Sequence, residues 1–106
     1  MRHEVTYFEK IFGNRISVKV LQLLVEWSGK FLSIRDIARK LGVSESSVAR
    51  VLNTLIMHGV VECVAVSSAR ARKVYRLKEG PLAEKLRELH EVLQLHFEKL
   101  ESSGDL

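Results

Sequence analysis

The side chains whose spacing could do chemistry lie in residues 44–57. Ser46, Arg50 and Asn53 recur at steps of three or four residues, so a helix would place them on one face. Such side chains can read the edges of bases: arginine pairs with guanine, asparagine with adenine, and serine with either. An ordinary solvent-exposed face carries more Lys and Glu. We therefore favour a base-reading face over a purely solvated one.

No other set of residues predicts catalysis or a metal site. His90 and His96 are six residues apart, which puts them on different helix faces and excludes a chelating pair. Cys63 alternates with Val61 and Ala65 along a strand, which favours a small buried side chain over a ligand or redox sensor. Glycine phosphate loops, nucleophile elbows and paired catalytic carboxylates are absent from the sequence. We expect no enzyme, no cofactor and no metal, with a site shared across a dimer as the open alternative.

Charge divides the chain into a basic body and an acidic C-terminal segment. Residues 1–78 hold 14 Lys or Arg against 6 Asp or Glu, whereas residues 79–106 hold 3 against 7. Residues 67–78 contain five basic residues and no acidic one. This clustering indicates a polyanionic partner for the body, although a solvated basic surface would show the same pattern.

Two short helices joined by a tight turn must position the candidate reading face. Periodic apolar residues predict the helices over residues 33–41 and 44–58. Ala38 leaves room for a close helix crossing, and Gly42 permits the positive φ of a turn four residues later. This spacing of a small residue and a glycine is typical of a helix-turn-helix, here at residues 33–58.

Serine residues mark where both helices begin. Ser33 and Asp36 have the spacing of a capping box, and Ser44 stands at the N-cap of the second helix. The second helix carries only Glu45 and Arg50 as full charges. Attraction to a polyanion must therefore come from basic residues elsewhere. These are chiefly the residues of the hairpin loop before Lys73, and also Arg35, Arg39 and Lys40.

The remaining elements complete one mainly helical domain over residues 1–106 with a small β-hairpin. Apolar periodicity and β-branched runs place them as follows. In chain order they are a short helix at 3–12, a helix at 15–28, a hairpin at 60–77 with strands at 60–66 and 73–77, a long helix at 82–101 and a tail at 102–106.

An extended motif runs through the helix-turn-helix and the hairpin. It comprises residues 34–52, continues through Leu55 and residues 59–61, and ends at residues 74–77. Residues 12–78 as a whole resemble the winged helix-turn-helix domains of ArsR-type and MarR-type transcriptional regulators, archaeal or bacterial. The resemblance implies that the second helix enters the major groove while the hairpin, the wing, contacts phosphates or the minor groove. The chain lacks the metal-sensing cysteine pair of the ArsR type and the usual glycine at the wing tip.

The resemblance and the charge pattern together assign roles to individual residues. The residues that would face bases are Glu45, Ser46, Ser47, Ala49, Arg50 and Asn53. The residues that would contact the DNA backbone, directly or through the wing, are Ser33, Arg35, Ser44, Arg70, Arg72 and Lys73.

The long C-terminal helix carries more apolar surface than a small core can cover. Its stripe extends over about 30 Å at the usual helical rise, and the aromatic cluster of the N-terminal helix is also surplus. A two-fold dimer that pairs these helices is the favoured solution, and internal packing is the alternative. The candidate interface residues are Tyr7, Phe8, Ile11, Leu86, Leu89, Leu93, Phe97 and Leu100.

These features indicate a homodimeric transcriptional regulator that binds double-stranded DNA sequence-specifically, with repression favoured over activation. The alternatives are a non-specific DNA-binding or chromatin-associated protein and a winged-helix protein-interaction module. The sequence has no signal-like or bilayer-length apolar segment and only one cysteine. We therefore expect a cytoplasmic, nucleoid-associated prokaryotic protein without a membrane partner.

Overall fold

Helices dominate the computed structural model, which describes residues 6–66 and 72–103. The elements are α1 (Tyr7–Phe12), α2 (Ile16–Glu26), α3 (Ile34–Leu41), α4 (Glu45–Met57), β1 (Val61–Val66), β2 (Arg72–Leu77) and α5 (Pro81–Ser103). The predicted fold class, mainly α with a β-hairpin wing and a long C-terminal helix, is confirmed.

Three helices differ from the sequence prediction by two or more residues at one end. Helix α1 starts at Tyr7, after an N-cap at Thr6 whose backbone N–H donates to Glu9 Oε2 at 2.8 Å. Helix α2 ends at Glu26, two residues before the predicted end. Helix α5 continues to Ser103, so the first two residues of the predicted tail are helical.

The turn between α3 and α4 has the geometry that its sequence predicts. Gly42 has a φ of 68° in the left-handed region. The N–H groups of Gly42 and Val43 both donate to the Ala38 carbonyl oxygen, at 2.8 and 3.1 Å. Ala38 is buried at this crossing, while Val48 and Leu52 of α4 are fully buried in the core. These contacts fix the angle at which α4 leaves the body.

The wing is an antiparallel pair of strands attached to the body at its base. Its register runs from Val61 opposite Leu77 to Val66 opposite Arg72. Leu32, in the linker between α2 and α3, exchanges two backbone hydrogen bonds with Tyr75, at 2.9 and 2.8 Å. The sequence prediction did not include this pairing, which holds β2 between β1 and the linker.

Cys63 is exposed rather than buried, which corrects the prediction. Val61 is buried at the base of the wing, but β1 leaves the core after it, so the residues from Cys63 to Val66 are exposed. Cys63 lies opposite Tyr75, which is buried on the neighbouring strand. Burial raises the pKa of Tyr75, and the adjacent thiol raises it further.

Helix α1 packs inside the protomer against α2 and α5. Phe8 is fully buried, and its backbone N–H donates to the Oε1 of the buried Gln22 at 3.0 Å. Tyr7 stacks on Phe97 of α5 with ring centroids 6.0 Å apart. Phe8, like the largely buried Leu93, therefore belongs to the protomer core rather than to the predicted dimer interface. Internal packing, the alternative considered above, accounts for this part of the apolar surface.

Candidate nucleic-acid interface

Helix α4 presents a polar face to solvent while its opposite face packs in the core. Ser46, Arg50 and Asn53 are all exposed, as the helical period predicts. Among the described residues, none of the three forms an ion pair, and only Ser46 has a side-chain hydrogen bond, to Ser44 at 3.3 Å. Met57 continues this face toward the end of the helix with 78% of its surface exposed. These side chains are free to contact a ligand that lies along α4.

Three serine hydroxyls cluster at the beginning of α4. Ser44 Oγ accepts a hydrogen bond from the Ser47 backbone N–H at 3.2 Å and donates one to Ser47 Oγ at 2.8 Å. Ser47 and Ala49 are half-buried on the flanks of the helix, whereas Glu45 is exposed. Ser46, Arg50 and Asn53 are therefore the most accessible of the predicted base-reading residues near the centre of the face.

On its α3 side, α4 is bordered by basic residues. A surface cleft of about 520 Å³ is lined by Arg35 and Arg39 of α3 and by Glu45 of α4. A neighbouring cleft of about 410 Å³ is lined by Ser33, Arg35 and Lys73. Three of the predicted backbone contacts, which lie up to 40 positions apart in the sequence, thus share one concave surface between α3 and the wing.

Asp36 is the acidic residue that lines the same cleft as Ser33, Arg35 and Lys73. Its carboxylate accepts a hydrogen bond from the Ser33 backbone N–H at 3.2 Å, while Ser33 Oγ accepts one from the Asp36 N–H at 3.0 Å. Hydrogen bonding of the carboxylate to the Ser33 backbone N–H and side chain, together with the nearby Arg39 and Lys40 charges, lowers the pKa of Asp36. The predicted capping box is present, and the carboxylate serves to begin α3.

The other predicted wing residues are placed unequally. Lys73 is exposed on β2, opposite Ala65. Arg72 begins β2, opposite Val66. Arg70 lies outside the described residues.

Two basic residues near the interface contact aromatic rings instead. Lys40 Nζ lies 4.1 Å from the centroid of the exposed Trp27 ring. Arg76 lies 4.4 Å above Phe31 and donates from Nε to Glu62 at 2.7 Å. Lys40, predicted to attract a polyanion, thus lies on the α2 side of α3, away from Arg35 and Arg39.

A further cleft, which the sequence did not predict, borders the opposite flank of α4. It encloses about 210 Å³ and is lined by Ser17 of α2 together with Arg50, Val51, Thr54 and Leu55 of α4. Ser17 belongs to no local motif, so only the packing of α2 against α4 reveals its position. The exposed face of α4 therefore lies between two clefts.

Residues 6–66 and 72–103 form neither a cluster of metal ligands nor a membrane-spanning helix. No three His, Cys, Asp or Glu side chains there come together as a metal site would require. No helix in the same residues has the length and apolarity to cross a membrane.

One protein-family profile matches the part of the chain that contains the helix-turn-helix. Residues 16–64, just under half of the chain, match the profile of the IclR helix-turn-helix domain. The match runs from the start of α2 into β1 and includes all of α3 and α4. No curated protein matches the chain.

Solved structures with a similar fold include transcription regulators and a repressor. The adhesin competence repressor AdcR of Streptococcus pyogenes is 21% identical with a TM-score of 0.58, over 79% of this chain and 65% of that one. A MepR mutant from S. aureus bound to an oligodeoxyribonucleotide is 20% identical with a TM-score of 0.67, over 92% and 69%. A protein described as a transcriptional regulator is 26% identical with a TM-score of 0.60, over 93% and 69%.

These similarities show a winged helix-turn-helix fold. The chain spans less than two thirds of the length of AdcR. The neighbours are regulators of the MarR type, and neither they nor the matching profile points to the ArsR type in particular.

Proposed function

We propose that the chain is a transcriptional regulator that binds double-stranded DNA sequence-specifically through α4. The observation that carries this proposal is the accessible set Ser46, Arg50 and Asn53 on the outward face of a helix whose other face is locked into the core. A fixed helix with free arginine and asparagine side chains can make bidentate contacts with guanine and adenine. The DNA-bound structural neighbour supports the same use of the fold.

Phosphate contacts would orient α4 in the groove. Ser33, Arg35 and Lys73 line one cleft beside α4, and phosphate contacts fix register without reading sequence. Because α4 itself carries one positive and one negative side chain, Arg50 and Glu45, most of the affinity comes from these flanking residues. The wing contacts proposed for Arg70 and Arg72 would extend this contribution.

We propose that two copies pair through α1 and α5. Apolar side chains that the protomer leaves exposed include Ile11 and Phe12 on α1 and Leu89, Val92 and Leu95 on α5. The last three follow each other at three-residue steps, so they form a continuous strip beside the half-buried Leu86 and Leu100. A two-fold dimer would cover this strip and place two α4 helices on half-sites about 34 Å apart. Repression by occupying a promoter, in the cytoplasm and at the nucleoid, is the simplest activity for such a dimer.

Selection of bound sites from random DNA tests the sequence-specific reading. The wild-type protein is incubated with a randomised duplex pool, and the bound molecules are sequenced over successive rounds. A palindromic consensus with two half-sites one helical turn apart is the expected result. Bound molecules without a consensus would contradict sequence-specific reading.

Non-specific DNA binding is the second candidate, and the near-neutral α4 favours it. In that case the flanking basic clefts would supply the affinity while Ser46, Arg50 and Asn53 add no preference. A protein-interaction module is the third candidate, and salt dependence separates it from both. DNA binding through several phosphates falls by about 10³–10⁵ between 50 and 200 mM salt, whereas such a module would show no DNA affinity even at low salt.

A further inference from the structure

We propose that the cleft between α2 and α4 binds the sugar–phosphate backbone on the side of the major groove opposite α3, with Ser17 and Arg15 as its phosphate contacts. This inference rests on the proposed function, because it names a second backbone site for the same DNA. None of the residues predicted from the sequence to contact the backbone belongs to α2.

The position of the cleft follows from the helical period of α4. At about 100° per residue, Arg50 and Asn53 point outward, Glu45 lies on the flank toward α3, and Thr54 lies on the flank toward α2. Each flank borders a cleft, so α4 forms a ridge with a concave surface on either side. The major groove is about 12 Å wide and is bordered by two phosphate backbones. A ridge about as wide as the groove brings one backbone against each cleft.

The lining of this cleft suits a sugar–phosphate chain. Val51 and Leu55 are half-buried and provide an apolar wall that deoxyribose can pack against. The Thr54 hydroxyl already donates to the Arg50 carbonyl oxygen at 3.2 Å. The exposed Ser17 makes no side-chain hydrogen bond among the described residues, which leaves its hydroxyl free to donate to a phosphate oxygen.

Arg15, the N-cap residue of α2, is the positive charge nearest to Ser17 in the sequence. It is exposed two residues before Ser17 and has no carboxylate within ion-pair distance in the described part of the chain. Lys19, one turn later on α2, instead lies 3.9 Å from the buried Glu9. Arg15 is thus the cation of this region that remains available to a phosphate, and Arg50 lines the same cleft from α4.

Salt dependence of DNA binding tests the role of Arg15. The variants are Arg15→Gln and a matched control, Lys30→Gln, which removes one exposed charge beyond the opposite end of α2. Affinity for one duplex is measured between 50 and 200 mM salt. Because each neutralised phosphate contributes about 0.9 to the slope of log affinity against log salt, Arg15→Gln should reduce the slope by about 0.9 per bound protomer. The ratio of wild-type to variant affinity then falls about 3.5-fold per bound protomer across this range, and Lys30→Gln leaves the slope unchanged.

Phosphate ethylation interference locates the contact on the DNA. Ethylation of one phosphate should weaken binding of the wild type but not of Ser17→Ala. For Arg35→Gln, the phosphate whose ethylation no longer weakens binding should lie across the groove. Equal slopes for Arg15→Gln and Lys30→Gln, or an unchanged ethylation pattern in Ser17→Ala, would overturn the inference while leaving the proposed function intact. Failure of the wild-type protein to bind any duplex would overturn the proposed function, and this inference with it.

Discussion

Arg50 could contact either of two parts of a DNA duplex, because it faces outward on α4 and also lines the cleft toward α2. Its guanidinium could read a guanine edge or contact a phosphate, and these two roles depend differently on side-chain shape. Lysine preserves the charge but lacks the planar fork that makes bidentate contacts. Comparing substitutions at this position therefore separates reading from simple attraction.

Replacing Arg50 should remove discrimination at one base pair. We expect Arg50→Ala to lose about 1–3 kcal/mol of preference for the guanine it contacts. Arg50→Lys should lose the same preference while keeping the salt slope of the wild type. Competition between the selected site and its single-base variants measures both quantities. Retention of the full preference in Arg50→Lys would assign Arg50 to the phosphates instead.

Lowering the pH should destabilise the first turn of α3, because it protonates the Asp36 carboxylate. The pKa of this carboxyl is lowered from its ordinary 3.8, so its contribution is fully present above that value and is lost as the pH falls through the lower folded-state pKa. Asp36→Ala should reduce the free energy of unfolding by roughly 0.3–1 kcal/mol at pH 7, since the group is largely solvated. The difference from wild type should shrink below about pH 4.

Chemical denaturation at several pH values checks this dependence. Asp36→Asn is the matched control, because its side-chain oxygen can still accept from the Ser33 N–H but does not titrate. Its difference from wild type should likewise decrease on acidification, as the wild-type carboxylate becomes neutral. An Asp36→Ala difference that stays constant down to pH 2 would exclude the ionised cap as its source.

Single residues also show where sequence reasoning reaches its limit. The two-residue period of β1 puts Cys63 on the same strand face as the buried Val61, yet Cys63 is exposed because the strand extends beyond the core. Apolar spacing likewise marks Phe8 as facing inward without identifying what covers it. Periodicity gives the direction of a side chain, but its burial depends on elements distant in the sequence.

At the scale of elements, the sequence predicted the features that depend on neighbouring residues but not the pairings between distant ones. The capping box at Ser33 and the left-handed turn at Gly42 depend on a few neighbouring residues, and both are present. The pairing of Leu32 with Tyr75 joins positions 43 residues apart through one bridge, which leaves no pattern in the sequence. The cleft between α2 and α4 has the same origin, since Ser17 meets Thr54 only in the folded chain.

Substituting Gly42 should test how strongly the turn depends on its left-handed backbone. No atom would lie within 4 Å of a Cβ at this position, so the cost comes from the φ of 68° rather than from a clash. We expect Gly42→Ala to lower the free energy of unfolding by about 1–2 kcal/mol. Gly42→Asn should lose less, because asparagine adopts this conformation more readily. Equal losses for the two variants in urea denaturation would indicate a cause other than φ.

The whole molecule combines a helix-turn-helix with a long helix that is only partly covered. Arg87 of α5 donates to Ser28 Oγ at 2.7 Å and pairs with Glu79 at 3.1 Å, which fixes the first turns of α5 to the body. Tyr7 and Phe8 of α1 cover a further part of α5 around His90. The sequence predicted an apolar surplus on α5, but only the packing of α1 shows which residues remain uncovered.

If that uncovered strip forms a dimer interface, a charge at its centre should separate the copies. Val92 is 61% exposed and lies between Leu89 and Leu95. Val92→Glu would bury an unpaired carboxylate in each copy, which should weaken dimerisation by about 10²-fold or more while the protomer stays folded. The matched control is Gln94→Glu, which makes the same charge change on an exposed α5 position about 200° away around the helix.

Sedimentation and DNA binding together decide whether the strip matters to function. Wild type and Gln94→Glu should sediment as dimers and occupy both halves of a palindrome in one step, because pairing makes the second contact intramolecular. Val92→Glu should sediment as a monomer, bind a single half-site with its affinity retained, and lose the advantage of the full palindrome. A dimeric Val92→Glu would move the interface elsewhere. A wild-type protein that is monomeric in the absence and presence of DNA would mean that each α4 reads its site alone, and a palindromic consensus would then not be expected.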